Sequence, residues 1–432
     1  MSIVKKTLGE LCIIEKGKIG IQKAIPGEFP LVVTAEERLS HNEYHFEGNA
    51  VVIPLVSSTG HGHKSLKRIH FQTGKFAVGN ILCAVMPKDE TVLNAEYLYR
   101  FLDLNREKEL VGRMKGMANV SLPLKEIALI EIPLPPVAEQ LKFVEEYKQL
   151  ETAKNKLSAE LTHQLTLVKQ LRQSFLREAM QGKLTADFRS AHPELTEGEN
   201  SAQALLEKIK VNRNGSLGRS TKKEKQLSPI GADEIPFDIP EGWVWCRLGE
   251  IGKTQTGTTP PTDNKSHFGK YIPFIKPADI TLSVLNFENE GLSQTGLEKG
   301  VLIEKNSLLM VCIGGSIGKS FYTDIRVSCN QQINAISPYF NIKAKFLQFW
   351  VQSTYFQKTI WKRASGGTTP IVNKSKWEGI PIPLPPLSEQ QAIVSKLDEL
   401  MRTCDELEAS IRTSQKQNEM LLREVLRGAL EV

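Results

Sequence analysis

The chain has no apolar run approaching the roughly 20 residues that a helix needs to cross a bilayer. Its first residues, Met1-Ser-Ile-Val-Lys-Lys, lack the long apolar stretch of a secretory signal. Cysteine is sparse: six residues, scattered singly with no CxxC pair, which argues against a disulfide framework or a structural zinc site and for a reducing compartment. A cytoplasmic location without a membrane partner is therefore expected. Histidine numbers only eight, and His61-Gly-His63 with His70 stands among Lys64, Lys67 and Arg68, a cationic loop poorly suited to a dication. Gly314-Gly-Ser-Ile-Gly-Lys-Ser320 imitates a phosphate loop but is one residue short, because the position that must be glycine is Ile313. No Asn-Pro-Pro-aromatic tetrad, Ser-His-Asp arrangement or zinc-deaminase spacing is evident. The expectation is a chain with no catalytic residue, no metal site and no cofactor of its own.

What is present is a repeat. At 432 residues two or more domains are expected, and 40% hydrophobic content fits a globular protein. A net charge of +6 permits a nucleic-acid partner without demanding one. Ile132-Pro-Leu-Pro-Pro136 followed by Glu139-Gln140 recurs as Ile382-Pro-Leu-Pro-Pro386 followed by Glu389-Gln390, an offset of 250 residues. Leu8-Gly9-Glu10 recurs as Leu248-Gly249-Glu250 at an offset of 240. Proline ends a strand ladder and biases its predecessor to extended backbone, so each prolyl motif reads as a strand exit before a helix start.

After each motif the residues step by four and three, the spacing of a heptad seam. On the first segment the seam includes Leu150, Leu157, Leu161 and Leu171; on the second it includes Leu400, Leu407, Ile411 and Leu421. Each helix needs a partner for its stripe. The sibling repeat is the obvious one, with separate packing of each helix on its own domain as the other arrangement. A two-fold relation between similar halves makes the pair antiparallel, and full overlap would set Lys154 opposite Ser414 and Gln164 opposite Cys404.

The domain plan that follows is residues 1–136 as a first globular domain, 137–185 as a long helix, 186–235 as a connector, 236–386 as a second domain, and 387–432 as a second long helix. The fold class is α+β, with mixed strands in both globular parts and a pseudo-two-fold internal repeat. The runs Ala50-Val-Val-Ile53, Ile81-Leu-Cys-Ala-Val85 and Leu308-Leu-Met-Val-Cys-Ile313 read as strands, and Ala95 to Leu110 and Ala344 to Trp361 as helices. In the connector, Ala202 to Val211 reads as a short amphipathic helix and Asn212 to Lys225 as a flexible basic linker.

This order of parts resembles the specificity subunits of type I restriction–modification enzymes. Ile235-Pro-Phe-Asp-Ile-Pro-Glu-Gly-Trp-Val-Trp-Cys-Arg-Leu-Gly-Glu250 looks like the entry to a second target-recognition domain, and Ile272-Pro-Phe-Ile-Lys-Pro-Ala-Asp279, Ser328-Cys-Asn-Gln-Gln-Ile-Asn334 and Gly366-Gly-Thr-Thr-Pro370 like segments inside one. The resemblance implies a non-catalytic DNA reader in which each domain recognises half of a split double-stranded site and the paired helices set the gap. It implies two methylation subunits and two restriction or motor subunits as partners, with S-adenosylmethionine, ATP and Mg on those partners. The first domain lacks the Thr258-Thr-Pro260 and Gly-Gly-Thr-Thr-Pro features of the second, which argues for two different half-sites.

DNA reading needs amide or hydroxyl groups for base edges and cations for phosphates. Candidate base readers are Ser57, Ser58, Thr59, His61 and Asn119 in the first domain, and Thr258, Thr259, Gln331, Gln332, Thr368 and Thr369 in the second. Candidate phosphate contacts are Lys64, Lys67, Arg68, Arg113, Lys115, Lys276, Lys362 and Arg363. For each, an ordinary surface or turn role stands beside the contact. Two other functions stay open. A self-sufficient DNA methyltransferase or nucleoside triphosphatase would bind S-adenosylmethionine or ATP as the pure chain. A coiled-coil scaffold would select no sequence from a random DNA pool.

Overall fold

A computed structural model describes residues 4–59, 62–217, 227–281 and 284–430. The chain divides into two compact units: residues 1–164 with 410–432, and residues 165–409. Each is a sheet-rich domain carrying a stretch of both long helices, Val137–Met180 and Leu387–Leu430.

The two units share one plan. In the first, strands Cys12–Lys16, Leu82–Pro87, Ala50–Pro54 and His70–Gln72 pair in that order, all antiparallel. In the second, Gly252–Thr256, Ile333–Pro338, Ser307–Val311 and Ser320–Thr323 do the same. A smaller sheet in each contains one parallel pair: Leu31 opposite Ala77 in the first, Phe274 opposite Ser328 in the second. A two-stranded ribbon ties the start of each domain to its prolyl motif, Lys5–Thr7 with Glu131–Pro133 and Val244–Arg247 with Pro381–Leu384.

The continuous apolar runs have a physical reason. Side chains alternate across a strand, and both faces of the middle strand are covered, so the run is apolar apart from buried Ser307, whose hydroxyl donates to the Glu304 carbonyl at 2.6 Å. In the first unit Val51 and Ile53 enter a core with Leu98, Phe101 and Phe143, whereas Ala50 and Val52 face a second core with Val32, Phe76 and Val78. In the second, Leu308 and Met310 meet Phe346 and Trp350, whereas Leu309 and Val311 meet Val327 and Ile333. Each of these side chains larger than alanine contributes about 1.5–3 kcal/mol on burial.

Three expected elements end elsewhere. The helix expected from Ala95 to Leu110 stops at Leu104, and a one-turn helix, Arg106–Glu109, follows Asn105. The stretch expected as one helix from Ala344 to Trp361 is two, Ala344–Gln352 and Thr354–Arg363. Ser353 between them is extended (φ −66°, ψ 146°) and its hydroxyl caps the second helix by accepting from the Phe356 amide at 3.3 Å. In the connector the helix continues to Leu217; most of the basic tract beyond it, with Lys222 and Lys223, lies outside the described residues.

Both prolyl motifs act as locks. Gln140 is buried, donates to the carbonyls of Val92 (2.9 Å) and Pro135 (2.8 Å), and accepts from the Asn94 amide at 2.9 Å. Gln390 repeats this, donating to the Pro385 carbonyl at 3.0 Å and accepting from the Lys343 amide at 3.2 Å. The side chain thereby fixes the start of a long helix against the start of a short helix in its domain. The preceding glutamates differ. Glu139 is exposed, whereas Glu389 is fully buried and accepts from Thr185 (2.7 Å), Arg189 (2.6 Å) and Trp243 (2.7 Å).

The long helices run antiparallel, and each unit shows it locally. In the first, Asn418 donates to the Lys154 carbonyl (3.2 Å) and the Ser158 hydroxyl (2.9 Å). In the second, Arg172 reaches Asp405 (2.7 Å) and Glu408 (3.3 Å). The register is not the full-overlap one, since Asn418 rather than Ser414 meets Lys154. The seam also differs from the leucine column. Leu161, Val168, Cys404 and Asn418 are buried along the helices, with Ile411 half-buried, whereas Tyr147 and Leu397 are buried in the cores of their own domains. The seam's second column is Glu151, Ser158 and Arg172, one residue after the expected Leu150, Leu157 and Leu171. Leu150, Leu157, Leu171, Leu407 and Leu421 are exposed, and Leu400 is half-buried. The polar column turns inward because it carries cross-element pairs: Arg172 as above, and Glu151 with Arg100 at 3.3 Å.

Candidate nucleic-acid interface

One end of the main sheet carries four backbone turns, hydrogen-bonded in a row, in each unit. In the second unit the strand Gly252–Thr256 runs into Gly257-Thr258-Thr259, where the Gly257 and Thr258 amides donate to the carbonyls of Ile333 and Cys329, both at 2.9 Å. The turn Asn330-Gln331-Gln332 lies beside it, and the Gln332 carbonyl accepts from the Cys312 amide at 2.8 Å. Next comes the glycine-rich turn 313–318, whose Gly314 amide donates to the Pro370 carbonyl at 2.8 Å. The last member is the hairpin closed by Ser365 and Ile371, which exchange backbone bonds of 3.0 and 2.7 Å.

The first unit repeats the row. The Gly17 amide donates to the Leu82 carbonyl (2.9 Å), Leu55 to Ile81 (2.8 Å) and Ser57 to Val120 (3.1 Å), and Lys115 and Ser121 close the hairpin. Close approach requires glycine at the first turn: a Cβ on Gly17 would lie 2.2 Å from the Gly79 oxygen, and one on Gly257 2.1 Å from the Asn330 oxygen. The hairpins match in conformation, with φ of +106° at Gly116 and +105° at Gly366. The first domain therefore has the hairpin that its sequence, Lys115-Gly-Met-Ala-Asn119, conceals. The phosphate-loop imitation is a turn between two antiparallel strands, closed by Gly318 donating to the Val311 carbonyl at 3.0 Å.

All six second-domain base-reading candidates fall in this row. Thr258, Gln331, Thr368 and Thr369 are exposed; Thr259 and Gln332 are half-buried, and the Thr259 hydroxyl donates to Gln331 Oε1 at 2.6 Å. In the first domain Asn119 is exposed on the hairpin. Ser57, Ser58 and Thr59 sit in the row, but their hydroxyls bind within the loop: Ser57 donates to the His63 carbonyl (2.5 Å), Ser58 accepts from the Lys67 amide (3.0 Å), and Thr59 meets Ser65 (2.9 Å). His61 lies outside the described residues. Sequence reasoning missed Lys18 and Asn80 in the first row and Lys319 in the second, all exposed. The 240-residue offset seen at Leu8-Gly9-Glu10, carried on to Gly17 and Gly257, would have found the first of these.

The cations divide into two groups. Lys64, Lys67 and Lys362 are exposed. Arg68 pairs with Glu36 (3.0 Å), Arg113 with Glu109 (3.1 Å), Lys115 with Glu126 and Lys276 with Glu290. Arg363 joins a structural cluster, bonding Glu234 at 3.0 Å and the Lys376 carbonyl at 3.1 Å. Buried Arg247 donates to the same Glu234 at 2.7 Å, and these contacts hold the Glu234 carboxyl down at about 2. Behind the first row, burial and Arg38, whose Nη1 lies 3.1 Å from His70 Nδ1, push the His70 imidazole down to about 4.

No group of three His, Cys, Asp or Glu side chains among the described residues is arranged to hold a metal. The six cysteines are free and buried, and burial raises the Cys83 thiol to about 12. No described helix is long and apolar enough to cross a membrane.

A family profile described as "Type I restriction modification DNA specificity domain" matches residues 2–167 and 240–415. The EcoDI specificity subunit of Escherichia coli is 25% identical over 428 residues, covering 98% of this chain and 86% of that protein. The EcoAI specificity subunit of Escherichia coli is 30% identical over 271 residues, covering 60% of this chain and 44%, less than half, of that protein. Among solved structures, one chain from work on assembly and conformational transition of the type I R-M system superposes with a TM-score of 0.64 at 17% identity, covering 99% of this chain and 97% of its own. The HsdS subunit from Thermoanaerobacter tengcongensis gives 0.57 at 16% identity, covering 99% and 96%. At these identities the structures share the fold.

Proposed function

Since the chain belongs to the type I restriction modification DNA specificity family, we propose that it is the sequence-reading subunit of such a complex and recognises a bipartite double-stranded DNA site. The carrying observation is the row of four turns built twice on one backbone plan with different side chains. A shared backbone docks each domain in the same way, and exposed amides, hydroxyls and lysines differing between the rows select different base edges. Thr258, Gln331, Gln332, Thr368 and Thr369 read one half-site; Lys18, Asn80 and Asn119 read the other; Lys64, Lys67 and Lys362 contact phosphates.

On this reading the chain has no catalytic centre. Two methylation subunits bring S-adenosylmethionine, and two restriction or motor subunits bring ATP and Mg. The antiparallel helices set the gap between half-sites. The exposed leucines of both helices support a role in holding partner subunits, since apolar columns in water call for cover.

The test is methylome sequencing of cells expressing the chain with its methylation partner. A bipartite motif is expected, and Thr368→Ala with Thr369→Ala should relax one half only. Methylation without a bipartite motif, or an equal change in both halves, refutes the reading. Robust DNA methylation or ATP hydrolysis by the pure chain would favour an enzyme instead.

A further inference from the structure

Within the second row, one side chain has its hydrogen-bonding polarity set by the fold. The Gln332 amide donates to Asn330 Oδ1 at 3.1 Å. A backbone N–H has only a proton to offer, so the Asn330 atom facing it must be the oxygen, and Asn330 Nδ2 must be the group that turns elsewhere. It turns to the Gln332 side chain, donating to Oε1 at 3.0 Å. Because Nδ2 is only a donor, the Gln332 atom that meets it must be its oxygen. The remaining group, Nε2 with two protons, has no protein partner among the described residues, on a half-buried side chain in the row. Asn330 is itself buried, 7% exposed, so water does not readily reopen the choice. Beside it, the Thr259 hydroxyl occupies Oε1 of Gln331 in the same sense.

An ordinary glutamine on DNA offers one donor and one acceptor and suits adenine. In Gln332 the oxygen is turned to Asn330 with one of its two lone pairs taken, so the NH2 is the group turned away from Asn330. We propose that Asn330 is a positioning residue that fixes Gln332 as a donor, and that Gln332 engages acceptor atoms of DNA: O6 and N7 of a guanine, or a phosphate oxygen. The proposal rests on the DNA-reading function above. It also predicts an asymmetry. The first unit carries Gly79, Asn80 and Ile81 in this turn, so neither the positioning amide nor the held glutamine exists there. The donor acts on one half-site alone.

The experiment uses the complete complex, with methylome mapping and DNA binding measured on the parent, Gln332→Ala and Asn330→Asp; circular dichroism and melting establish that each variant folds. Gln332→Ala removes the donor and is expected to lower discrimination or affinity about 10- to 100-fold. In Asn330→Asp the carboxylate accepts from both the Gln332 amide and Nε2, which turns Oε1 towards the DNA. An acceptor then faces an acceptor, so a loss of similar size is expected although Gln332 is untouched. If the contact is to guanine, one position of one half-site relaxes, or changes to a base bearing a donor. If it is to phosphate, affinity falls for all sequences alike and the motif stays. Should Asn330→Asp fold yet leave motif and affinity unchanged, the positioning role is overturned. Should Gln332→Ala do so, the contact itself is overturned. A parent without any bipartite motif would instead sink the DNA-reading function.

Discussion

Replacing Glu389 by alanine should destabilise the second unit severely, whereas the matching change at Glu139 should be nearly silent. The carboxylate of Glu389 is fully buried and accepts three hydrogen bonds of 2.6–2.7 Å, one from the Arg189 guanidinium. Without it, Arg189, whose side chain is 19% exposed, keeps among the described residues only its side-chain bond to the Gly182 carbonyl (3.0 Å), and the Trp243 indole N–H loses its acceptor. Breaking a buried ion pair from one side costs about 3–5 kcal/mol. In a domain of this size that shifts the melting midpoint by roughly 6–20 °C. Glu139 is exposed, so its removal should stay within about 0.5 kcal/mol. The assay is tryptophan fluorescence in thermal and urea unfolding, because all five tryptophans (Trp243, Trp245, Trp350, Trp361 and Trp377) lie in the second unit. The Arg189→Ala, Glu389→Ala double variant should lose less than the two single variants together, because no stranded charge remains. Equal midpoints for the Glu139 and Glu389 variants, or strict additivity with Arg189→Ala, would refute the reasoning.

Acid should weaken the second unit through Glu234. Its carboxyl is lowered in the fold to about 2 from 4.5, so its contribution is present above pH 4.5 and is lost as pH falls through 2. Glu234→Gln should flatten stability against pH in that window, read by tryptophan fluorescence. Gly366→Ala and Gly116→Ala place a Cβ at positive φ, 2.6 and 2.3 Å from the carbonyl oxygens of Thr369 and Asn119. A cost of about 1–3 kcal/mol confined to the hairpin is expected, seen as weaker DNA binding with little change in melting. Lys362→Ala should reduce the salt slope of DNA binding by about 1; Arg363→Ala, which breaks a bond to Glu234, should lower stability instead. Inserting one heptad after Leu157 and one after Gln417, levels matched by the contact of Asn418 with Lys154 and Ser158, adds about 10 Å. Methylome mapping should then show either a spacer longer by about three base pairs with unchanged half-sites, or lost methylation; new half-sites would show that the helices are not the ruler.

Recognition of the family, the two α+β domains and the antiparallel helices were legible from the repeat. The doubled Ile-Pro-Leu-Pro-Pro motif marks two equivalent strand-to-helix junctions, and period-3.5 spacing marks helices that need a partner. One of the two columns of the helix seam was read a residue off, while Leu161 and Ile411, also expected in it, are buried and half-buried. A leucine column looks like a seam by composition, but Arg172 and Glu151 have partners on other elements, and those charges turned their own column inward. The hairpin of the first domain was invisible for a related reason. Lys115-Gly-Met-Ala-Asn119 shares with Ser365-Gly-Gly-Thr-Thr369 only a glycine, yet both adopt the same turn.

By itself, then, the sequence determined what periodicity and repetition carry: two similar halves, the strands buried on both faces, the long helices, and the junctions where proline must stop a ladder. These are local or recurring constraints, written into consecutive residues. Tertiary structure alone decided which side chains meet. It brought residues 17–19, 55–59, 79–81 and 115–121 into one row, and buried Glu389 while leaving Glu139 in water. Those outcomes depend on atoms far apart in the chain coming within about 3 Å, and no spacing between letters encodes that distance.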